Sequence, residues 1–270
     1  MSENTNNTQA PQAGSLLNQA RQSANRQVSP IEKIRGMIYK SEKQLLMVLQ
    51  TPEKVQRFQR EFMTMVQGNN RLLQCEPKSL IGAAIQSAQL GLSLDKVMGQ
   101  AYVVPYGNEA QFQIGYQGYL ELARRSGEIK GIFANIVYEG DYFVNEYTME
   151  GANLIHRPVP PSKRGNRIGV YMIANFVNGG NHAEFMWAEE VMQIKALSKG
   201  ASRSDSPWKN HEEAMWKKTV IKRASTYLPL SVEARQAIRI DQLQDDNIKK
   251  VDYAPLADGE ELEVIDINNE

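Results

Sequence analysis

The chain has 270 residues, with 31 basic side chains balanced by 31 acidic ones, and a single cysteine. That length is enough for one large domain or two small ones around a sizeable core. Lone Cys75 excludes an internal disulfide framework and a cysteine-based zinc site, and no run of 18 apolar residues offers a membrane span.

Residues 1–30 are rich in Asn, Gln, Ser and Thr, with Leu16, Leu17 and Val28 as their bulky apolar side chains. Such a segment cannot bury enough to offset its ordering entropy and reads as a disordered tail. It holds no apolar signal core, so secretion is not expected and a cytoplasmic location is. Ile31, Ile34, Met37, Ile38, Leu45, Leu46 and Leu49 then recur at helical spacing. Thr51-Pro52 opens a second helix, a cap followed by proline at the first helical position. Val55, Phe58, Phe62, Met63 and Val66 give it an apolar side, and Gly68 ends it. A third helix is expected from about 77 to 90, closed by Gly91.

The pattern changes at "GQAYVVPYGNEAQFQIG". Two strand-like runs, 101–106 and 110–114, flank Gly107-Asn108 and predict a hairpin. Gln111 and Gln113 fall on one face of it, Phe112 and Ile114 on the other. Tyr116–Ser126 reads as a short helix stopped by Gly127. Gly115 and Gly118 lack phosphate-loop spacing and suggest instead a close approach of hairpin and helix. Segments 129–138, 142–147, 153–156, 168–177 and 182–187 alternate like the strands of one small antiparallel sheet. Helices return at about 188–198, 209–226 and 231–243. The order predicts an α+β fold, a small antiparallel sheet with a β-hairpin flanked by N- and C-terminal helices. One domain would cover 31–243, followed by a flexible acidic tail over 244–270.

The zero net charge conceals an asymmetry. Residues 241–270 carry ten acidic and two basic side chains, a net of −8, which leaves +8 for residues 1–240. Removing that tail is therefore expected to preserve or strengthen binding of an anionic partner. The densest basic stretch, 191–223, holds Lys195, Lys199, Arg203, Lys209, Lys217, Lys218, Lys222 and Arg223 against three acids. Trp208 and Trp216 interleave with them, and Trp187 stands just before. Cations neutralise phosphates and aromatic faces stack bases, so the combination points to nucleic acid. On a helical projection Trp216, Val220, Ala224 and Tyr227 share a core face, with Lys218 and Lys222 opposite and Thr219 beside them. Lys217 falls within the apolar arc and must snorkel or reach a specific partner. The hairpin region adds Lys96, Gln100, Tyr102, Tyr106, Gln111, Gln113 and Tyr116, with Arg124 and Arg125 on the helix after it.

Enzymatic signatures are weak. The sequence contains no Walker loop, no G-x-G-x-x-G and no G-x-S-x-G, and its three histidines lack zinc-helix spacing. Glu139, Asp141 and Glu146 are close enough in sequence to suggest a metal-dependent nuclease, or simply a solvated turn. An oligomeric scaffold whose basic face binds an acidic protein is a third reading.

"GLSLDKVMGQAYVVPYG", "IGYQGYLELARRSG", "VYEGD", "HRP", "SPW" and "KKTVIKRASTYLPLS" follow one another along the chain. In their order and spacing they resemble the RecT family of phage single-strand annealing proteins, over roughly residues 35–235. The resemblance is close to members from phages of Gram-positive bacteria. The resemblance implies ATP-independent binding of single-stranded DNA and annealing of complementary strands in recombination, by a ring or helical filament of many copies. It implies a core like that of the lambda Beta protein and, more distantly, Rad52. It implies no catalytic residues and no cofactor, with magnesium only a modulator of DNA binding. Implied partners are single-stranded DNA, the annealed duplex, a phage 5′-to-3′ exonuclease and the host single-strand binding protein, in the cytoplasm of a bacterial host.

Overall fold

The computed structural model describes residues 29–149, 151–198, 201–204, 206–245 and 249–266. The expected N-terminal tail therefore lies outside the described residues, except for Ser29 and Pro30, which start the first helix. Helix α1 (Pro30–Lys40) has a capping box, with Ser29 and Glu32 satisfying each other's backbone N–H groups. The first helical run breaks at Ser41, and α2 (Glu42–Leu49) follows, ending at left-handed Gln50. Helix α3 (Pro52–Gln67) is capped by Thr51 and buries Val55, Phe58, Phe62, Met63 and Val66, as the periodicity predicts. Helix α4 (Pro77–Gln89) is buried on nearly all sides. Its Gly82, Ala83, Ala84, Ser87 and Ala88 are small, so neighbouring elements can approach it closely.

Strands β1 (Ala101–Tyr106) and β2 (Glu109–Ile114) form the expected hairpin, in the register Ala101↔Ile114 to Tyr106↔Glu109, turning at left-handed Gly107. Helix α5 (Tyr116–Arg124) follows. The predicted single five-stranded sheet is divided in two. Strands β3 (Ile129–Tyr138), β6 (Arg167–Phe176) and β7 (Asn181–Trp187) form a three-stranded antiparallel sheet, while β4 (Tyr142–Thr148) and β5 (Gly151–Arg157) form a separate hairpin. Alternation along β6 explains this. Val170, Met172 and Ala174 join the main core, while Tyr171 and Ile173 join a second, smaller cluster with Phe143 of β4 and Phe185 of β7. Phe143 lies 5.7 Å from the Tyr171 ring and 5.1 Å from that of Phe185, so the hairpin packs on the sheet face rather than extending its edge.

Helix α6 (Ala188–Leu197), the short α7 (Pro207–Asn210) and α8 (Glu212–Ala224) follow, and α8 packs against β3, β6 and β7. A 3₁₀ turn, Ser225–Tyr227, leads toward α9 (Val232–Asp245).

The segment expected to be a flexible tail departs from that reading. Strand β8 (Lys249–Asp252) pairs with β9 (Glu263–Asp266), and α10 (Ala254–Ala257) lies between them in sequence. Val251, Tyr253 and Leu256 are buried in the main core. Gln44 donates to the Leu256 carbonyl, and Lys78 pairs with Asp258 at 2.6 Å. A Cβ on Gly82 of α4 would stand 1.6 Å from the Tyr253 carbonyl oxygen. The acidic count hid three apolar anchors, which make this segment part of the domain. No helix among the described residues is long and apolar enough to cross a membrane.

Candidate nucleic-acid interface

The junction of hairpin and α5 depends on glycine. A Cβ on Gly115 would lie 2.1 Å from the Gly99 carbonyl oxygen, and one on Gly118 would lie 2.1 Å from that of Gln100. This approach sets Tyr102 and Tyr106 on the open side of the hairpin, with the Gln113 amide donating to the Tyr106 hydroxyl. Tyr116 accepts from the Gln117 amide and is half-buried. Lys96 and Arg124 are exposed. The Gln100 side chain takes the Ser93 backbone N–H.

Two members of this group are structural. Gln111 is buried, because the C-terminal segment covers its face of the hairpin, and its amide donates to the Val251 carbonyl. Arg125 donates to the carbonyls of Leu90 and Gly91 at 2.6 and 2.7 Å and pairs with Glu121. It satisfies carbonyls at the end of α4, which have no partner within their own helix.

On α8 the projected core face holds for Trp216, Val220 and Ala224 but fails for Tyr227, which is 67% exposed. The α-helix ends at Ala224 and the 3₁₀ turn advances about 120° per residue rather than 100°, so the phase is lost before Tyr227. Thr219 is buried and donates to the Met215 carbonyl, so it does not flank an exposed lysine pair. Lys222 is drawn inward, its Nζ 3.4 Å from the Asp241 carbonyl oxygen and 4.0 Å from the carboxylate. Asp241 is 2% exposed and accepts from the Ile114 N–H at 3.0 Å and the Tyr119 hydroxyl at 2.6 Å.

Several other cations of the basic stretch are held by acids. Arg223 pairs with Glu184 and Glu190, and Lys195 and Arg167 share Glu212. The bond from Lys195, reinforced by Arg167 against the cost of burial, keeps the Glu212 carboxyl below its ordinary range. Trp208 is buried, with the Lys195 ammonium 5.9 Å from its ring centre, so it offers no face to a base. Arg203, Lys209 and half-buried Lys218 remain near the surface, and Lys199 lies outside the described residues.

Lys217, whose position in the apolar arc calls for snorkelling or a specific partner, is half-buried rather than enclosed in the core. It opens into a cleft of about 340 Å³ with Asn135, Tyr138, His156, Arg164 and Glu213 among the lining side chains. The Arg164 guanidinium lies 4.9 Å over the Tyr138 ring, whose hydroxyl donates to Glu213. The β5–β6 loop and the start of β6 thus bring Arg164 and Arg167 to the side of α8, where Arg164 lines the cleft with Lys217 and Arg167 pairs with Glu212. Sequence reasoning missed this group, because the prolines of "RPVPPSKRGNR" interrupt any helical or strand period. Four cations without an acid in that stretch were the available signal.

Asp141 organises the cleft floor. It accepts from the N–H groups of Val159 and Tyr138 and bonds His156 Nε2 at 3.0 Å, while His156 Nδ1 meets the Tyr171 hydroxyl. Burial pushes the Asp141 carboxyl up, but these bonds outweigh it and hold the group below its ordinary range. Glu139 is engaged by Asn166 and Glu146 by Asn153, so the three carboxylates serve separate partners. Among the described residues no three His, Cys, Asp or Glu side chains converge as a metal site.

A depressed carboxyl contributes stability above its unfolded pKa of about 3.9 and loses it as pH falls through the folded value. Asp141→Asn is therefore expected to destabilise the protein near neutral pH. Denaturant unfolding of both proteins should show the difference shrinking below about pH 4. A difference that stays constant with pH would mean that the charge of Asp141 contributes nothing.

An α+β domain with a basic stretch interleaved with aromatic side chains matches known proteins over most of its length. The family model described as the RecT family matches residues 56–253, and the chain belongs to that family, whose members anneal single DNA strands in recombination. The chain is 36% identical over 204 residues to Protein RecT of Escherichia coli strain K12, covering 73% of this chain and 74% of that protein. It is 32% identical over 212 residues to the uncharacterized protein YqaK of Bacillus subtilis strain 168, covering 78% and 71%.

Proposed function

We propose that this chain holds a single DNA strand by its phosphates along α8 and the β5–β6 loop, and anneals a complementary strand to it without ATP. The observation that carries the reading is the convergence of Lys217 and Arg164 on one cleft, with Lys218 on the next position of the helix. Backbone contacts carry no sequence information and leave base edges able to pair. Neutralising two backbones also lowers the repulsion that slows pairing. This needs no covalent chemistry, so the protein acts as a binder rather than an enzyme, with magnesium modulating DNA binding. It works as a ring or helical filament of many copies. An exonuclease that exposes single strands and a single-strand binding protein are the expected protein partners.

Lys217→Ala with Arg164→Ala tests the site. The slope of log affinity against log salt should fall by about 0.7 for each phosphate that is no longer neutralised, and ATP-free annealing should slow in parallel. An unchanged slope in a folded variant would place the strand elsewhere. If the unaltered protein failed to accelerate annealing at low salt, with or without magnesium, the function itself would be wrong.

A further inference from the structure

Beyond the C-terminal end of α8 lies a second cavity, of about 400 Å³, which none of the residues assigned to phosphate binding enters. Its lining includes Tyr147 and Thr148 from the tip of β4, Asn181, His182 and Glu184 from β7, and Tyr227 from the 3₁₀ turn. Tyr147 and Tyr227 are 64% and 67% exposed, a large aromatic area to leave in water. The His182 ring lies 5.0 Å from that of Tyr227, tilted by 34°. Its Nε2 is buried and makes no hydrogen bond; the Glu184 carboxylate stands 4.0 Å away. A buried ring nitrogen without a partner is costly, so a small shift of the His182 ring that lets a ligand supply one would be favoured.

We infer that this cavity takes one nucleobase of the bound strand, stacked on the tyrosines and bonded at its edge to His182, Asn181 or Glu184. The local charge favours a neutral planar ring over a phosphate. Arg223 is shared by Glu184 and Glu190, so carboxylates outnumber the cation beside the cavity and would repel an anion. Burial lowers the His182 pKa, against the opposing pull of Glu184, and so favours the uncharged imidazole, which can either donate or accept. Stacking is tolerant of sequence because every base has a π-face. A base parked here is withdrawn from pairing until it is released, so each copy would interrupt the paired region at a fixed place. The inference rests on the reading of α8 as the strand-holding helix, which places Tyr227 one turn beyond Arg223.

The test compares the unaltered full chain with Tyr227→Ala, Tyr147→Ala and Tyr227→Phe, on oligothymidylate and on an abasic oligomer of equal length. Each alanine variant should bind oligothymidylate roughly tenfold more weakly with an unchanged salt slope, and Tyr227→Phe should restore binding. Thymidine monophosphate should compete only at far higher concentration, since it lacks the rest of the backbone; equal competition would make this a free-nucleotide site and overturn the inference. An oligonucleotide carrying 5-iodouracil should cross-link to Tyr147 or Tyr227 in the unaltered protein, a readout that needs no variant. If the unaltered protein binds abasic and thymidylate strands equally, the base pocket is refuted while the phosphate reading stands. If it binds neither, the proposed function falls first. If Tyr227→Ala changes only the size of the assembly in sedimentation, the cavity is a contact between copies and the inference is wrong.

Discussion

Asp241→Ala is expected to cost about 3–5 kcal/mol of stability, the range for removing one partner of a buried charged network. The carboxylate is the common acceptor for the Ile114 N–H at the end of the hairpin and the Tyr119 hydroxyl of α5, and Lys222 approaches it from α8. Its loss would take that acceptor from a buried N–H and a buried hydroxyl and remove the carboxylate from beside the Lys222 ammonium. For a domain of this size that corresponds to a fall in Tm of about 6–20 °C. Asp241→Asn keeps an acceptor oxygen and should lose less, whereas Tyr119→Phe removes the bond from the hydroxyl to Asp241, for about 1–2 kcal/mol. Thermal and urea unfolding of the three variants would check the ranking. An Asp241→Ala protein as stable as the parent would show that the three elements are held together by apolar packing alone.

Loss of the C-terminal segment should be at least as damaging. Ending the chain before Lys249 exposes the surfaces that Val251, Tyr253 and Leu256 cover, at about 1.5–3 kcal/mol for each large side chain withdrawn. It also strips the buried Gln111 amide of its carbonyl partner. A truncated protein is expected to aggregate or to unfold well below the parent temperature. Gly82→Ala makes the same point with one methyl group, since the added Cβ would lie within bonding distance of the Tyr253 carbonyl oxygen. Limited proteolysis should then cut between residues 245 and 260 in the variant and spare the parent. Equal resistance would mean that the helix can shift to accept the methyl. Neutralising Asp258, Glu260 and Glu261 to the amides separates charge from packing. That variant should remain folded and bind DNA more tightly, the outcome that charge counting alone assigned to deletion.

Much of the local structure was legible. Capping at Thr51, the Gly107-Asn108 hairpin and the helical periods of α1 to α4 are set by neighbours a few residues apart, and the sequence displays them directly. The close approach at Gly115 and Gly118 was also readable, because glycines without a loop motif suggest contact. The site was harder to read. Lys222, Arg223, Lys195 and Arg125 look alike among the cations of the chain, yet each is held by a carboxylate or carbonyl that is distant in sequence. Gln111 belonged to a polar strand face only until the C-terminal segment covered it.

By itself, then, the chain determined its helices and hairpins, its α+β class, its family and the overall sign of its basic body. Tertiary structure alone decided which cations face a cleft, that the acidic end packs as part of the domain, and that Tyr227 points outward beside His182. The reason is physical. Secondary structure and net charge sum over near neighbours, whereas desolvation and ion pairing depend on groups brought together from over a hundred residues apart, as Asp241 is with Ile114 and Tyr119.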